Sequence, residues 1–197
     1  MTSAAAVAAA VAGGADAIGF VFAPSVRQLE PARAAQLALP VRSRVSVVAV
    51  TLHPQQALVD EVIRLCQSDM LQSELEDFEA LILPQTLIKL PVVRAAGALG
   101  GDLPHRFLFE GPRSGSGTAA DWSEAARLAR TSELVLAGGL DEHNVSAAIH
   151  RVLPYGVDVS SGVESKPGQK SPEKIARFIA AARAASFDRT GLGQEKV

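Results

Sequence analysis

Cysteine is scarce in this sequence: one residue, Cys66, occurs among 197. A single cysteine cannot form a disulfide within the chain, so the sequence is not that of a disulfide-stabilised secreted domain. We expect a cytoplasmic protein on this ground. Cys66 falls at the end of a predicted helix, where a packed small side chain is more usual than a nucleophile.

The chain also has no large excess of charge of either sign and no long apolar run. The formal net charge is -2, and acidic and basic residues are mixed along the chain, which predicts no surface for nucleic acid or for an anionic membrane. No apolar run reaches the roughly 18 residues that cross a bilayer, so no membrane partner is expected. The 4 histidines are scattered without metal-ligand spacing, and no metal site is predicted.

What the sequence does contain is a regular alternation of strand-length apolar runs and helical segments. The predicted strands are 16–22, 44–50, 69–72, 90–95, 107–110, 134–137 and 156–159, and the predicted helices lie between Ser3 and Gly13 and at 31–39, 54–66, 74–83, 123–130, 142–152 and 171–185. This pattern indicates an α/β fold with a parallel sheet, in one domain over residues 1–185 followed by a flexible tail at 186–197. Seven strands after an initial helix predict a (β/α)8 TIM barrel that lacks strand 1. An open doubly wound sheet is the alternative, although no glycine-rich dinucleotide turn follows the first strand.

Functional side chains of such a barrel lie at the carboxyl ends of its strands. That rule selects Arg27, Thr51, Gln72, Arg94, Glu110 and Asp158. Glu110 ends an apolar strand, a position that suits a carboxylic acid to proton donation, although a solvated carboxylate fits equally well. Arg27 can pair with a substrate carboxylate through two parallel hydrogen bonds, or it is an ordinary surface arginine. The loop 111–117 is interpreted as a mobile cover over the site or as an ordinary flexible loop.

Two turns of small residues follow the last two predicted strands. Gly138 and Gly139 end one strand, and Ser160, Ser161 and Gly162 follow the next. Backbone N–H groups that crowd together at such turns bind phosphate, and the loops after strands seven and eight form the phosphate site of many barrels. Either turn alone is more often an ordinary strand-to-helix connection. Two in succession favour a phosphate site.

Three longer segments carry a resemblance to one family. They are Gly14-Ala-Asp-Ala-Ile-Gly-Phe-Val-Phe-Ala-Pro-Ser25, Val135-Leu-Ala-Gly-Gly-Leu140 with Asn144-Val145, and Tyr155-Gly-Val-Asp-Val-Ser-Ser-Gly-Val-Glu164 followed by Pro167-Gly168 and Lys170. Together with Ser-Gly-Ser-Gly-Thr at 114–118 and Asp121-Trp122, they resemble phosphoribosylanthranilate isomerase over about residues 5–185. The resemblance implies a (β/α)8 barrel of the tryptophan pathway. Its members catalyse the Amadori rearrangement of N-(5-phosphoribosyl)anthranilate to 1-(2-carboxyphenylamino)-1-deoxyribulose 5-phosphate without a cofactor.

The resemblance also implies a role for each matching residue. Arg27 matches the arginine that meets the anthranilate carboxylate, and Glu110 stands in the place of the general acid, which is aspartate in most of the family. Gly138, Gly139, Ser161 and Gly162 match the phosphate-binding turns. Asp158 matches a carboxylate at the end of the last strand and is placed with the substrate-binding residues, without a catalytic step. The implied partner is a phosphosugar, and the chain is expected to be a monomer or a homodimer.

Besides Glu110, the sequence departs from the family at three places, one of which is Val26, where proline is usual before the arginine. The family's first strand carries Lys-Ile-Cys-Gly, whose cysteine is the general base, and no such segment precedes the first predicted helix here. Ser73-Glu74 stands where His-Gly is usual. We therefore expect poor stability and weak activity, because an absent strand exposes two strand edges and an absent base slows proton abstraction by about 10²–10⁴-fold. Two alternatives stay open: a non-catalytic phosphosugar-binding module, and another phosphate-binding barrel isomerase or epimerase.

Overall fold

The structure of the chain is a computed structural model that describes residues 1–94, 103–111 and 121–191. Its strands are β1 Ala17–Val21, β2 Ser46–Val50, β3 Met70–Glu74, β4 Ile88–Val93, β5 Arg106–Phe109, β6 Glu133–Leu136, β7 Gly156–Val157, β8 Glu164–Lys166 and β9 Gln169–Lys170. Its helices are α1 Ala4–Gly13, α2 Pro31–Ala38, α3 Gln56–Cys66, α4 Asp77–Ala80, α5 Trp122–Leu128, α6 Val145–Val152 and α7 Pro172–Gly191, with a 3₁₀ turn at Ser161–Val163.

Capping groups fix where the first helices begin and end. At α1 the Ser3 hydroxyl accepts a hydrogen bond from Ala6 N at 3.3 Å, which satisfies one of the free N–H groups of the first turn. Gly14 ends the helix with a φ of 85°, a conformation that glycine adopts without steric cost. Pro31 occupies the first position of α2, where its missing N–H has no helical partner in any case. The helix starts predicted from Ser3 and Pro31 are confirmed.

Seven strands form one parallel sheet in which each strand lies beside its neighbours in sequence, in the order β1 to β7. This is the order of a barrel, whereas a doubly wound sheet reverses its strand order, so the predicted α/β fold with seven parallel strands is confirmed. The sheet curls so far that α1 packs against α7, and the Arg183 side chain of α7 donates to Gly14 O at 2.6 Å. Within the described part of the chain β1 and β7 do not pair with each other, and the sheet is a half-barrel.

Side chains alternate between the two faces of the sheet, with a period of two residues. The outer face packs under the helices and carries members of the main core such as Val93, Phe109 and Val157. The inner, concave face carries a smaller apolar cluster of Leu90, Val92, Leu108 and Ala137. Because the alternation continues past the last residue of each strand, Arg94, Glu110 and Asp158 face the concave side.

Several segments differ from the sequence prediction. Helix α6 begins at Val145 and not at 142, because the Asp141 carboxylate organises the preceding turn by accepting from His143 N at 2.8 Å and from Asn144 N at 3.0 Å. Strand β7 is only two residues long, since it is paired to β6 alone. The last helix continues to Gly191, past the predicted boundary at 186, and residues 192–197 lie outside the described ranges. The antiparallel hairpin β8–β9 is not predicted by the sequence.

Two sequence expectations concern parts that are only incompletely covered. The predicted cover loop at 111–117 lies outside the described residues except for Gly111. Among the described residues, no helix is both long enough and apolar enough to span a bilayer.

Candidate active site

The turn after β6 is held in shape by glycine and by one side-chain amide. Gly138 has a φ of 85° and Gly139 a φ of 67°, values in the left-handed region that strain a residue with a Cβ. Asn144 Nδ2 donates to Gly139 O at 2.8 Å, and Asn144 Oδ1 accepts from Asp141 N at 2.9 Å. The shape of this turn is therefore fixed by the protein before any ligand binds.

The turn after β7 packs directly against it. A Cβ added at Gly162 would lie 2.0 Å from Leu140 O, so only glycine permits this approach. Among the described residues, no acceptor lies within hydrogen-bond range of the N–H groups of Gly139, Ser161 and Gly162. The structure thus brings the two predicted phosphate turns together and leaves N–H groups of both available to an anion.

Arg27 is held by Glu164, a residue to which the sequence pattern assigns no role. Arg27 Nε donates to Glu164 Oε1 at 2.7 Å and Arg27 Nη2 donates to Oε2 at 2.9 Å. This bidentate pair occupies one edge of the guanidinium, and Nη1 has no partner within the described ranges. The Nη1–Nη2 edge is thereby presented to a second carboxylate. The hydrogen bond to Glu164 raises the pKa of Arg27 against the opposing effect of burial.

Lys170 connects this pair to the phosphate turn. Its Nζ donates to Glu164 Oε1 at 3.0 Å, to Ser160 O at 2.8 Å and to Ser160 Oγ at 3.2 Å. Burial lowers the pKa of Lys170, and Glu164 opposes that change. Burial acts to raise the pKa of Glu164, but the hydrogen bonds from Arg27 and Lys170 outweigh it and bring that pKa to about 2. Two cations therefore share one buried carboxylate, and we call this group the Arg27–Glu164–Lys170 cluster.

Asp158 lies between that cluster and the rest of the concave face. Desolvation by the surrounding protein raises the pKa of Asp158, and the negative charge of Glu110 raises it further, whereas the positive charge of Lys170 lowers it. The Asp158 side chain is nevertheless exposed, so water that reaches the carboxyl moderates the shift. The charges of Asp158 and Glu110 influence each other across the concave face, as the strand-end rule predicts for two residues of one site.

Glu110 belongs to a second charged group, at the ends of β3, β4 and β5. The Arg94 guanidinium contacts the Glu74 carboxylate through Nη1, and Arg94 Nη2 lies 3.7 Å from Glu110 Oε2. Glu74 and Glu110 are each only 9% exposed. The hydrogen bond to Glu74 raises the pKa of Arg94, with burial opposing it. We call these residues the Glu74–Arg94–Glu110 row. Glu74 is a member that the strand-end rule did not select, because the predicted strand ended at 72 and the predicted helix began at 74, whereas β3 continues to Glu74.

A third polar network ties the end of β2 to α4. Thr51 Oγ1 donates to Ser73 Oγ at 3.0 Å, Ser73 Oγ donates to Asp77, and His53 Nδ1 lies 2.9 Å from Asp77 Oδ1. The hydrogen bond to Asp77 raises the pKa of His53. Burial acts to raise the pKa of Asp77, but the hydrogen bonds from Ser73 and His53 outweigh it, so that pKa falls. The Thr51 hydroxyl is therefore engaged within the protein, and Gln72 contributes its backbone carbonyl, which accepts from Thr51 N at 2.8 Å.

Cys66 lies apart from these groups. It is fully buried, and its thiol donates to Pro31 O at 3.3 Å. Burial raises the pKa of the thiol, which disfavours the reactive thiolate. The interpretation of Cys66 as a packed small side chain is confirmed. In the ranges that the structure describes, His, Cys, Asp and Glu side chains form no group of three that could hold a metal ion.

An open cavity of about 500 Å³ lies at the opposite ends of the strands. Its lining includes Asp16, Arg42, Arg44 and Asp69. Arg42 Nη2 donates to Cys66 O at 2.9 Å, and Asp69 Oδ2 accepts from Val47 N at 2.7 Å. These side chains support the backbone of loops at the amino-terminal ends of the strands, the end of a barrel that serves stability. We therefore place the candidate active site at the carboxyl ends.

Comparison with known proteins points to one family. The family model described as N-(5'phosphoribosyl)anthranilate (PRA) isomerase matches residues 1–181. The N-(5'-phosphoribosyl)anthranilate isomerase of Mesorhizobium japonicum is 39% identical, and the match covers 93% of this chain and 93% of the relative.

Solved structures agree with this match. TrpF from Jonesia denitrificans is 35% identical with a TM-score of 0.78, over 94% of this chain and 95% of that one. A phosphoribosyl anthranilate isomerase in complex with reduced 1-(o-carboxyphenylamino)-1-deoxyribulose 5-phosphate is 29% identical with a TM-score of 0.74, over 93% and 95%.

Proposed function

Because the chain belongs to the phosphoribosylanthranilate isomerase family, we propose that it catalyses the Amadori rearrangement of N-(5'-phosphoribosyl)anthranilate to 1-(2-carboxyphenylamino)-1-deoxyribulose 5-phosphate in tryptophan biosynthesis. The observation that carries the proposal is the position of Lys170. Its Nζ bonds both to Glu164, the partner of Arg27, and to Ser160 in the phosphate turn. A carboxylate site and a phosphate site are thus joined, and the proposed substrate carries both groups.

The phosphate and the carboxylate of the substrate bind to different parts of the site. The phosphate binds the N–H groups of the paired turns at Gly138, Gly139, Ser161 and Gly162, which are held in place by the contact with Leu140. The anthranilate carboxylate binds the free Nη1–Nη2 edge of Arg27. Glu164 fixes the orientation of that edge, so less side-chain entropy is lost when the substrate binds.

Glu110 is the proposed general acid. Its carboxyl lies on the concave face, directly after the central strand β5, and the residue as a whole is 9% exposed. Proton transfer from Glu110 to the ring oxygen of the ribose lets the bond from C1 to that oxygen break, while the nitrogen lone pair forms an iminium ion. Loss of the proton at C2 then gives the enol, which becomes the ketone product. Asp158, on the same face, is assigned to a sugar hydroxyl as a substrate-binding residue.

The base for the second proton transfer is not Cys66, because that thiol is buried under α2 and bonded to Pro31 O at 3.3 Å. Cys66 is the sole cysteine of the sequence. This observation favours a second candidate function, a phosphosugar-binding module that holds the substrate without turnover. The family membership favours the enzyme, and the two candidates make different predictions for binding and turnover.

The test measures turnover and binding on the same preparation. Loss of substrate fluorescence follows the isomerisation, and calorimetry measures binding of the reduced product that the solved relative contains. We expect turnover by the wild type, normal binding with kcat lowered by about 10²–10⁴-fold in Glu110→Gln, and weakened binding in Arg27→Met. Binding without turnover by the wild type would establish the binding module. Absence of both would mean that the substrate is a different phosphosugar.

We also propose that the protein acts in the cytoplasm as a monomer or a homodimer. The chain has a single, buried cysteine and therefore no internal disulfide, which supports this compartment. Light scattering on the purified chain distinguishes the two oligomeric states, and cell fractionation tests the compartment.

A further inference from the structure

We propose that Arg94 is a positioning residue for the Glu110 carboxyl, and that Glu74 determines how strongly Arg94 acts on it. This inference rests on the proposed role of Glu110 as the general acid. It assigns a function to the Glu74–Arg94–Glu110 row, whose first two members make no contact with substrate in the proposal above.

The three residues lie on adjacent strands. Glu74 pairs in register with Val92 across β3 and β4, and Val93 pairs with Phe109 across β4 and β5. Arg94 and Glu110 therefore follow at the same level. The Arg94 side chain is 26% exposed, while the side chains of Glu74 and Glu110 are 12% and 11% exposed. All three are confined by the protein and project into the concave face, where a substrate ring would lie.

A glutamate that acts as a general acid has to be held in place. Its carboxyl ends a side chain with three rotatable bonds, and proton transfer requires the donor to lie within hydrogen-bond reach of the receiving atom. Arg94 Nη2, at 3.7 Å from Glu110 Oε2, restricts where that carboxyl can go. A displacement of about 1 Å is enough to lower a rate 10²-fold.

The charge of Arg94 has to be limited as well. A guanidinium bonded directly to a carboxylate favours its ionised form, and an ionised Glu110 cannot donate a proton. Arg94 instead makes its closer contact with Glu74 and stays beyond hydrogen-bond range of Glu110. Among the described residues, other charges that bear on this group are Asp158, which interacts with Glu110, and Glu76, which interacts with Arg94. Glu74 is thus a counterion that holds Arg94 near Glu110 while taking its closer contact.

The kinetic test uses Arg94→Met, Arg94→Lys and Glu74→Gln. We expect Arg94→Met to lower kcat by about 10–100-fold with less than about a threefold change in KM, and Arg94→Lys to recover part of the loss. Glu74→Gln removes the closer partner of Arg94, so we expect it also to lower kcat with less than about a threefold change in KM. Glu133→Gln is the matched control, because Glu133 accepts from Arg106 Nε at 2.6 Å across β5 and β6 at the other end of the strands.

A second readout does not depend on activity. The carboxyl carbon of Glu110, labelled with ¹³C and assigned by its loss in Glu110→Gln, reports its surroundings through its chemical shift in the free protein. Glu74→Gln is expected to change this chemical shift, and Glu133→Gln to leave it in place. An unchanged chemical shift in Glu74→Gln would overturn the inference, as would a rise in KM without a fall in kcat in Arg94→Met, which would make Arg94 a substrate-binding residue. An inactive wild type whose Glu110 chemical shift still responds to Glu74→Gln would refute the proposed function alone.

Discussion

The contact between Gly162 and Leu140 offers the sharpest perturbation of the phosphate site. In Gly162→Ala the new Cβ would lie 2.0 Å from Leu140 O, whereas real Cβ atoms essentially never approach within 3.0 Å. The turns after β6 and β7 therefore have to separate by about 1 Å at this point, since 3.0 − 2.0 = 1.0. The atom in the way is a backbone oxygen, so no side chain can rotate to relieve the contact.

The separation removes donors from the phosphate. A hydrogen bond to a charged group contributes about 1.5–3 kcal/mol, and 1.4 kcal/mol corresponds to tenfold in affinity. If one such bond between the phosphate and an N–H of either turn is lost, affinity falls by about 10–100-fold. The overpacking itself is expected to lower the free energy of unfolding by about 1–3 kcal/mol.

Calorimetry with the reduced product, together with urea unfolding, measures both effects. Gly156→Ala is the matched control, because the nearest atom to a Cβ at that glycine is Val135 Cγ2 at 3.8 Å, an ordinary contact. We expect the control to bind as the wild type does. Wild-type affinity in Gly162→Ala would refute the assignment of phosphate to the paired turns. Equally weakened binding in both variants would mean that the effect comes from the sheet edge at β7 and not from the Gly162 contact.

Three further predictions concern charge and burial. The folded-state pKa of Glu164 lies near 2, below its usual 4.5. Its contribution to the free energy of unfolding is therefore present above pH 4.5 and is lost as the pH falls toward 2. Urea unfolding should show that Glu164→Gln loses less stability over this pH range than the wild type does. The same variant should raise KM, since Arg27 loses the partner that orients it. The hydrogen bond to Asp77 raises the pKa of His53. The stabilisation from this pair is therefore fully present below the pKa of the unfolded state and is lost as the pH rises through the pKa of the folded state. NMR titration should give a His53 midpoint above 6.5, and the midpoint should fall in Asp77→Asn. Cys66 should react with a thiol reagent only after unfolding, and fast reaction of the native protein would contradict its burial.

The sequence predicts those parts of the fold and site that depend on short-range periodicity. Apolar runs identify seven strands, and the alternation of faces places the residue after each run on a known side. Glu110 and Asp158 could be selected from the sequence because they lie at the carboxyl ends of two predicted strands, and in the structure they follow Phe109 and Val157 directly. The turn at Gly138 and Gly139 could also be predicted from local sequence, because both residues have the positive φ values that glycine permits.

Partners that are distant in sequence could not be predicted in this way. Arg27 and Glu164 are 137 positions apart, and a charged residue carries no periodic signal that names its partner. Strands β8 and β9 are three and two residues long, too short for any alternation to be visible. Glu74 was missed because it was assigned to the start of a helix at 74–83, whereas β3 continues to Glu74 and buries it beside Arg94. A short strand of polar residues gives no apolar run that would mark where it ends.

The two charged groups differ in composition, and this difference bears on how the proposed substrate would lie. Between β7 and β1, Arg27 and Lys170 both bond to the carboxylate of Glu164; between β3 and β5, the Arg94 guanidinium contacts Glu74 and lies 3.7 Å from Glu110. We expect the two cations of the first group to attract the anionic ends of the proposed substrate, which leaves its uncharged ribose ring as the part that approaches Glu110.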